Sequence, residues 1–276
     1  VGASALIALT TLIAKALGRW PDGETLHPLQ VSAGRFAVAL AWLAVIAAVA
    51  RPSFAGTAWG LHAARSLCGW LGVSCMFAAA ALMPLAEATA ISFLSPVAAV
   101  VLAVLFLRER PGALRWLAVA VAFAGALLLV RPGTAAFQPA AVIALGAALC
   151  LGAEAVLIKH LTGGEPRLRI LLVNNAIGAA LAVTAALFVW RAPAAGQWAL
   201  LGLLGTAMLG AQTLFIAAMR RGDASYVMPF FYATLVFAGL YDFALFGDRP
   251  DLAAGLGAAV IVAGALLLVW REGRAR

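Results

Sequence analysis

Ten stretches of about twenty mostly apolar residues, joined by short connections, constrain this chain more than any other feature of its sequence. They run at about 2–18, 30–50, 63–82, 86–107, 113–130, 139–160, 169–190, 198–219, 224–246 and 252–271. A helix of about 20 apolar residues crosses a hydrocarbon core of about 30 Å and satisfies its own backbone polar groups, which a loop or an open sheet edge cannot do in lipid. Only 11% of the 276 residues are charged, against about 25% in soluble domains. The expected fold is therefore all-α integral membrane, with ten transmembrane helices and little chain left for a soluble domain. The first stretch is apolar from its first residue and lacks a basic leader or small-residue cleavage site, so it is expected to stay as a span.

The chain also repeats itself. A shift of 139 residues lays RERPGALRWLAVAVAFAGALLLV (108–130) on GDRPDLAAGLGAAVIVAGALLLV (247–269), with Gly125 to Val130 identical to Gly264 to Val269. The same shift puts Leu29 on Leu168 and Arg35 on Asn174, and a shift of 144 puts Lys15 on Lys159. Five spans per copy is an odd number, so residues 1–133 and 134–276 are expected as two five-helix repeats of opposite membrane orientation. Two such copies can hold different conformations and exchange them around a site near the bilayer midplane, which is alternating access.

Basic residues report orientation. With the amino terminus on one side, that side receives Arg51, Arg65, Arg108, Arg110, Arg115, Lys159, Arg167, Arg169, Arg220, Arg221, Arg271, Arg274 and Arg276, and the other receives Arg19, Arg131, Arg191 and Arg249. This asymmetry predicts cytoplasmic chain ends, so the net charge of +8 speaks of topology and not of nucleic acid. Cys68, Cys75 and Cys150 lie in spans without metal-ligand spacing and read as small packing residues. No cofactor or metal motif is present. A phosphate loop GxxxxGK[ST] is absent, and His27, His62 and His160 are scattered over loops or helix ends, so neither an ATPase nor a membrane enzyme is expected.

The ten spans in two halves, the stretch AISFLSPVAAVVLAVLFLRERP in the fourth and the ending FAGALLLV of the fifth resemble the drug/metabolite transporter superfamily, in its EamA branch of ten-helix bacterial inner-membrane exporters. The fourth-segment pattern is Ser92, Ser95, Pro96 and Glu109; in the second copy it becomes Phe231, Thr234, Leu235 and Asp248 and loses the proline. The resemblance implies a secondary carrier exporting small amphipathic metabolites, with neutral or aromatic amino acids as the leading class and nucleotide sugars as the alternative. It also sets the fifth and tenth helices apart from the pathway. Their small residues, Ala118, Ala122, Gly125 and Ala126, then Gly255, Ala259, Ala263 and Gly264, suit close packing against the other half or against a second protomer in a homodimer. A channel or a scaffold without carrier activity is the reading from a different class. The first helix lacks the glutamate used by the compact multidrug relatives.

Polar residues at depth cost free energy unless they line water or find partners. Asn174 and Asn175 interrupt the apolar run 170–190, and adjacent helical positions point about 100° apart, so one is expected to face the pathway or glue helices while the other packs. The nucleotide-sugar carriers have a twin-asparagine motif in this helix, of which LVNN looks like a partial version. Arg35, the repeat mate of Asn174, Glu154 in the sixth segment and Lys15 are the expected gating or coupling groups; Glu154 either titrates or sits in an ion pair with Lys159, Arg35 or Lys15. Lys15 and Lys159 either snorkel to the headgroups or bind a substrate carboxylate, and Glu87 and Asp242 are expected to be solvated. The expected pathway lining is Asn174, Trp70, Phe77, Ser92, Phe93, Gln212, Phe215, Phe231, Tyr232 and Lys159, with Met76 and Phe230 nearby. Such a mainly apolar, aromatic chamber favours small amphipathic solutes over phosphorylated ones. Trp20, Trp59, Trp190, Trp198 and Trp270 read as interfacial belt residues.

Overall fold

A computed structural model describes residues 1–17, 25–82, 91–130, 139–246 and 252–272. Glu87, Trp20 and Asp248 lie outside the described residues, as do the side chains of Lys15, Phe77, Asp242 and Trp270. The chain is all-helical: α1 (Gly2–Leu17), α2 (Pro28–Ala50), α3 (Trp59–Leu82), α4 (Ser95–Leu107), α5 (Ala113–Val130), α6 (Pro139–Gly164), α7 (Arg167–Leu187), α8 (Ala195–Arg221), a segmented α9 and α10 (Leu252–Glu272). The α9 span runs as a helical turn Ala224–Val227, a 3-10 stretch Met228–Tyr232 and a helix Ala233–Phe246. Pro229 lacks the N–H that a continuous helix would need there, which explains the interruption. The fourth span has a matching break, a turn at 93–94 ahead of Pro96. Helix ends are marked locally as well: α2 starts on Pro28 behind His27, whose Nδ1 accepts from the Leu29 N–H at 3.3 Å, and α2 and α4 close on Arg51 and Arg108 in left-handed conformation (φ 43° and 54°).

Packing runs between the copies more than within them. α3 packs on α6 and α1 on α8; α4 packs on α6 and α9 on α1; α2 lies on α7 and α5 on α10. Each of these pairs is either its own counterpart or the counterpart of another under exchange of the halves, the signature of a pseudo-two-fold axis in the membrane plane. Phe93 and Tyr232, 139 residues apart, meet near that axis with ring centroids 6.0 Å apart, and the Tyr232 hydroxyl donates to the Phe93 carbonyl at 2.7 Å.

Connections on one face interlock. The α2–α3 connection meets the start of α7 where Arg169 donates to the Ser53 carbonyl, and the α4–α5 connection meets α9 where Glu109 accepts the Ala224 and Ser225 N–H groups at 2.8 and 3.0 Å. That face also holds the start of α1 and the end of α10, and is called the terminal face below. On the opposite face the Gln30 side chain bridges the Arg191 backbone.

Ala118, Ala122, Gly125 and Ala126 of α5 and Gly264 of α10 are buried where the two helices meet, the packing against the other half that their spacing suits, while Gly255, Ala259 and Ala263 are exposed. A Cβ on Gly125 would stand 2.9 Å from the Gly257 carbonyl oxygen and the Ile261 nitrogen, and one on Gly264 would stand 3.3 Å from the Ala122 nitrogen. Gly125→Ala is expected to lower stability by about 1–3 kcal/mol through overpacking, whereas Gly146→Ala, where an added Cβ meets nothing within 4 Å, is expected to be neutral. Thermal unfolding of the two variants in detergent checks both.

Candidate substrate chamber

A cavity of about 290 Å³ lies between α2, α3, α6, α7 and α8, with the irregular part of α9 at one end. Its apolar walls include Phe36, Trp70, Met208, Phe215 and Phe231, and its polar groups are Ser32, Arg35, Arg65, Ser66, Ser95, Glu154, Asn174 and Gln212. The lining at the end nearer the terminal face is buried, with Arg65 2%, Met228 4% and Asn174 6% exposed. At the other end it reaches the first turn of α2, and Leu29, Trp70, Val73 and Leu181 are exposed. The chamber is thus closed toward the terminal face.

Its charges are brought together by three helices. Glu154 projects from α6 against α3 at Gly69, where an added Cβ would stand 2.9 Å from the carboxylate; a larger residue at 69 would displace it. The Arg65 Nε on α3 approaches Glu154 Oε1 to 3.7 Å, and an Arg65 Nη1 donates to the Ile170 carbonyl of α7 at 3.4 Å. Arg35 on α2 lies within electrostatic reach of the same carboxylate and stacks over Phe36 at 4.2 Å. Lining the chamber are therefore two guanidiniums and one carboxylate among the described residues.

The twin asparagines divide their tasks as helix geometry requires. Asn174 lines the chamber, its Oδ1 accepting from Ser66 Oγ at 3.4 Å. Asn175 is buried beside it and donates to the Leu171 carbonyl at 2.8 Å and to Gln212 Oε1 at 3.0 Å, tying α7 to α8.

Of the residues expected along the pathway, Trp70, Asn174, Gln212, Phe215 and Phe231 line the chamber, with Arg35 and Glu154. Ser92, Phe93, Tyr232 and Lys159 do not. Phe93 and Tyr232 pack on each other with Phe123 and Ile261 near α5 and α10, and Ser92 is buried close by. Lys159 caps the end of α8, donating from Nζ to the Met219 and Gly222 carbonyls at 2.9 and 2.7 Å; unpaired carbonyls at a helix end are a favourable partner for an ammonium. Glu154 pairs with Arg65 and not with a lysine among the described side chains. Arg65 is the residue that sequence reasoning missed: α3 starts at Trp59, so Arg65 lies well inside the helix and not at its mouth. The warning was an arginine within a few residues of Ser66 and Gly69, small enough to leave a cavity beside it.

A second polar cluster lies outside the chamber. His62 Nε2 is 2.9 Å from Glu165 Oε2, the Ala58 N–H donates to Glu165 Oε1 at 2.7 Å, and Arg169 Nη1 is 4.0 Å from Glu165 Oε2. Burial pushes the Glu165 carboxyl up, but the Ala58 N–H, His62 and Arg169 outweigh it and hold the group below the usual carboxylate range.

A family model for the EamA-like transporter family matches residues 1–131 and 138–270. The chain belongs to that family: it is a multi-pass membrane transporter of small metabolites and not an enzyme. Among curated relatives, it is 33% identical to a riboflavin transporter of Rhizobium johnstonii, over 77% of this chain and 71% of the relative. It is 26% identical to an S-adenosylmethionine uptake transporter of Rickettsia bellii (78% and 74%) and 28% identical to a pseudopaline exporter of Pseudomonas aeruginosa (74% and 70%). A protein of known crystal structure shares the fold at TM-score 0.80 and 22% identity, covering 100% of this chain and 97% of that one.

Glu165→Ala leaves the Ala58 N–H and His62 Nε2 without their partner, at about 1–3 kcal/mol for each buried group. Because the folded carboxyl titrates below its unfolded value of about 4.3, ionised Glu165 contributes stability above that pH, and the contribution is lost as pH falls through the folded value. Thermal unfolding from about pH 7 to about pH 3 is expected to show a steeper acid loss for wild type than for Glu165→Ala.

Proposed function

We propose that this chain is an alternating-access exporter of small zwitterionic metabolites with an apolar or aromatic body, neutral and aromatic amino acids being the simplest of them. The observation that carries this reading is the chamber's charge set: a carboxylate, Glu154, facing Arg65 and Arg35 inside walls that are otherwise apolar and aromatic. A zwitterion needs an anion for its ammonium and a cation for its carboxylate, a few ångströms apart. Glu154 is the ammonium site and Arg35 the carboxylate site, while Arg65, held by Glu154 and the Ile170 carbonyl, keeps Glu154 in place. Trp70, Phe215 and Phe231 receive the side chain, and Asn174 and Gln212 offer hydrogen bonds at its edge. A chamber of about 290 Å³ sits at the bottom of the range of about 300–1,000 Å³ usual for ligand pockets, which favours small solutes.

The similarity to a riboflavin transporter at 33% identity supports a second reading, a neutral ring-bearing substrate that uses the aromatic walls without the ion pair. S-adenosylmethionine, named for the relative in Rickettsia bellii, carries an amino-acid head and fits the first reading. The basic residues gathered on the terminal face support cytoplasmic chain ends in a bacterial inner membrane; moving Arg65 into the chamber leaves that asymmetry in place. Export as the direction rests on the family resemblance.

Solute counterflow in proteoliposomes tests the assignment, with labelled neutral, aromatic and charged amino acids, S-adenosylmethionine, riboflavin and nucleotide sugars. Exchange of neutral or aromatic amino acids is expected in wild type, reduced about tenfold or more by Glu154→Gln and by Arg35→Gln, the scale of a lost charge-assisted bond of about 1.5–3 kcal/mol. Exchange confined to riboflavin and indifferent to both substitutions would replace the zwitterion reading with the neutral one, and exchange confined to nucleotide sugars would replace it with a phosphorylated, anionic substrate. A pH gradient that drives wild type but not Glu154→Gln would add proton coupling at Glu154.

A further inference from the structure

Two glycines of the chamber wall lie against the side chains that hold its charges. Gly178 of α7 faces Phe36 of α2, whose ring fills the space that a Cβ at 178 would need. The same ring packs on Ala33, Ala182 and Ala186, of which the last two follow Gly178 at four-residue spacing along α7. Arg35 lays its guanidinium over this ring, 4.2 Å from its centroid, and among the described residues makes no hydrogen bond or ion pair. Stacking occupies the flat face of a guanidinium and leaves its N–H edge free, and that edge takes a carboxylate in bidentate geometry. Arg65, by contrast, is already engaged by Glu154 and the Ile170 carbonyl. Gly69 of α3 leaves the place that Glu154 occupies: an added Cβ would stand 2.9 Å from its carboxyl carbon and from Oε2. The repeat does not call for glycine at either position, since 139 residues away Met208 corresponds to Gly69 and Ala39 to Gly178. Glycine inside a helix is less favourable than alanine, so what favours it here is the side chain it admits.

Resting on the zwitterion reading, we infer that Phe36 seated on Gly178, and Gly69 beneath Glu154, are the positioning residues that set the chamber's demand for each end of its substrate. The first seat aims Arg35 at the substrate carboxylate, and the second places Glu154 for the ammonium. A methyl group at 178 forces the Phe36 ring off α7, and the guanidinium stacked on it loses its support. A methyl group at 69 pushes the Glu154 carboxylate away from α3. Because the seats lie on different helices and carry opposite charges, each fails by itself and takes with it the recognition of one end only. A general loosening of the packing would weaken both ends together. Size selection in this chamber is thus separate from charge selection: the aromatic walls receive the body, while two glycines decide whether a carboxylate and an ammonium are both required.

Thermal unfolding in detergent at rising concentrations of phenylalanine, phenylalanine amide or phenylpropanoate, which lacks the amino group, tests this. A ligand held only by the folded protein raises the unfolding temperature once its concentration passes Kd, so one experiment reads the stability of each variant and its affinity for the three compounds. Wild type is expected to prefer phenylalanine to both analogues. Gly178→Ala and Phe36→Leu are expected to reduce the preference over the amide by about tenfold while keeping the preference over phenylpropanoate, and Gly69→Ala is expected to do the converse. Phe36→Leu adds no atom at 178 and decides the carboxylate arm if Gly178→Ala does not fold. Gly125→Ala, which overpacks α5 against α10 away from the chamber, is the control: a lower unfolding temperature with both preferences unchanged. Folded variants of Gly178, Phe36 and Gly69 that keep both preferences, or that lose both together, overturn the inference. A wild type that does not distinguish the three compounds strikes the zwitterion reading and the positioning with it, whereas distinction present in wild type and unaltered in the variants strikes the positioning alone.

Discussion

A carboxylate at depth in a bilayer has to be paired or solvated, and the arrangement around Glu154 follows from that requirement. The partner is on α3, a helix of the other half, and the second cation is on α2. Pairing them sets α6 of the second copy against α3 of the first, with Arg35 of α2 within electrostatic reach, and Gly69 is small enough to let the carboxylate in. The chamber is what remains where these helices, α7 and α8 cannot close over charged and amide groups. A purely apolar interior of the same helices would have no reason to keep the space.

The repeat gives that interior its symmetry and its function. Because the main helix contacts cross between the halves, a change in one half cannot occur without moving the other. Phe93 and Tyr232 sit near the axis where both halves leave regular helix. Away from the axis the copies have diverged in side-chain chemistry: Arg35 faces Asn174 in the repeat, and His62 and Glu165 face Leu201 and Leu26. The backbone plan is shared and the polar groups are not, so the two faces can respond to different conditions while the fold stays one design.

Much of this was legible in the sequence, for physical reasons. Apolar runs of spanning length admit hardly any structure but helices, and the identity of Gly125–Val130 with Gly264–Val269 exposes the repeat directly. Asn174, Arg35 and Glu154 stand out because polarity at depth is costly. What escaped depended on tertiary proximity or on a boundary. Starting the third helix at 63 instead of Trp59 left Arg65 among the surface cations; His62 and Glu165 are 103 residues apart and look like separate loop residues. Lys159 resembled its repeat mate Lys15 and so resembled a site, but the nearby end of α8 offers it carbonyls. Tyr232 and Phe93 belonged to helices expected at the cavity, yet the interruptions at 93–94 and 228–232 place them against α5 and α10.

The central claim is that one chamber holds the two ends of a zwitterion, Glu154 on the ammonium and Arg35 on the carboxylate. Calorimetric binding to the purified protein tests it most directly, comparing phenylalanine with its amide, which lacks the carboxylate, and with the corresponding acid lacking the amino group. The account predicts that each analogue binds about tenfold or more weakly than the parent, as expected when one charge-assisted contact of about 1.5–3 kcal/mol is removed. Equal binding of all three compounds would contradict it and leave the aromatic walls as the whole of the recognition.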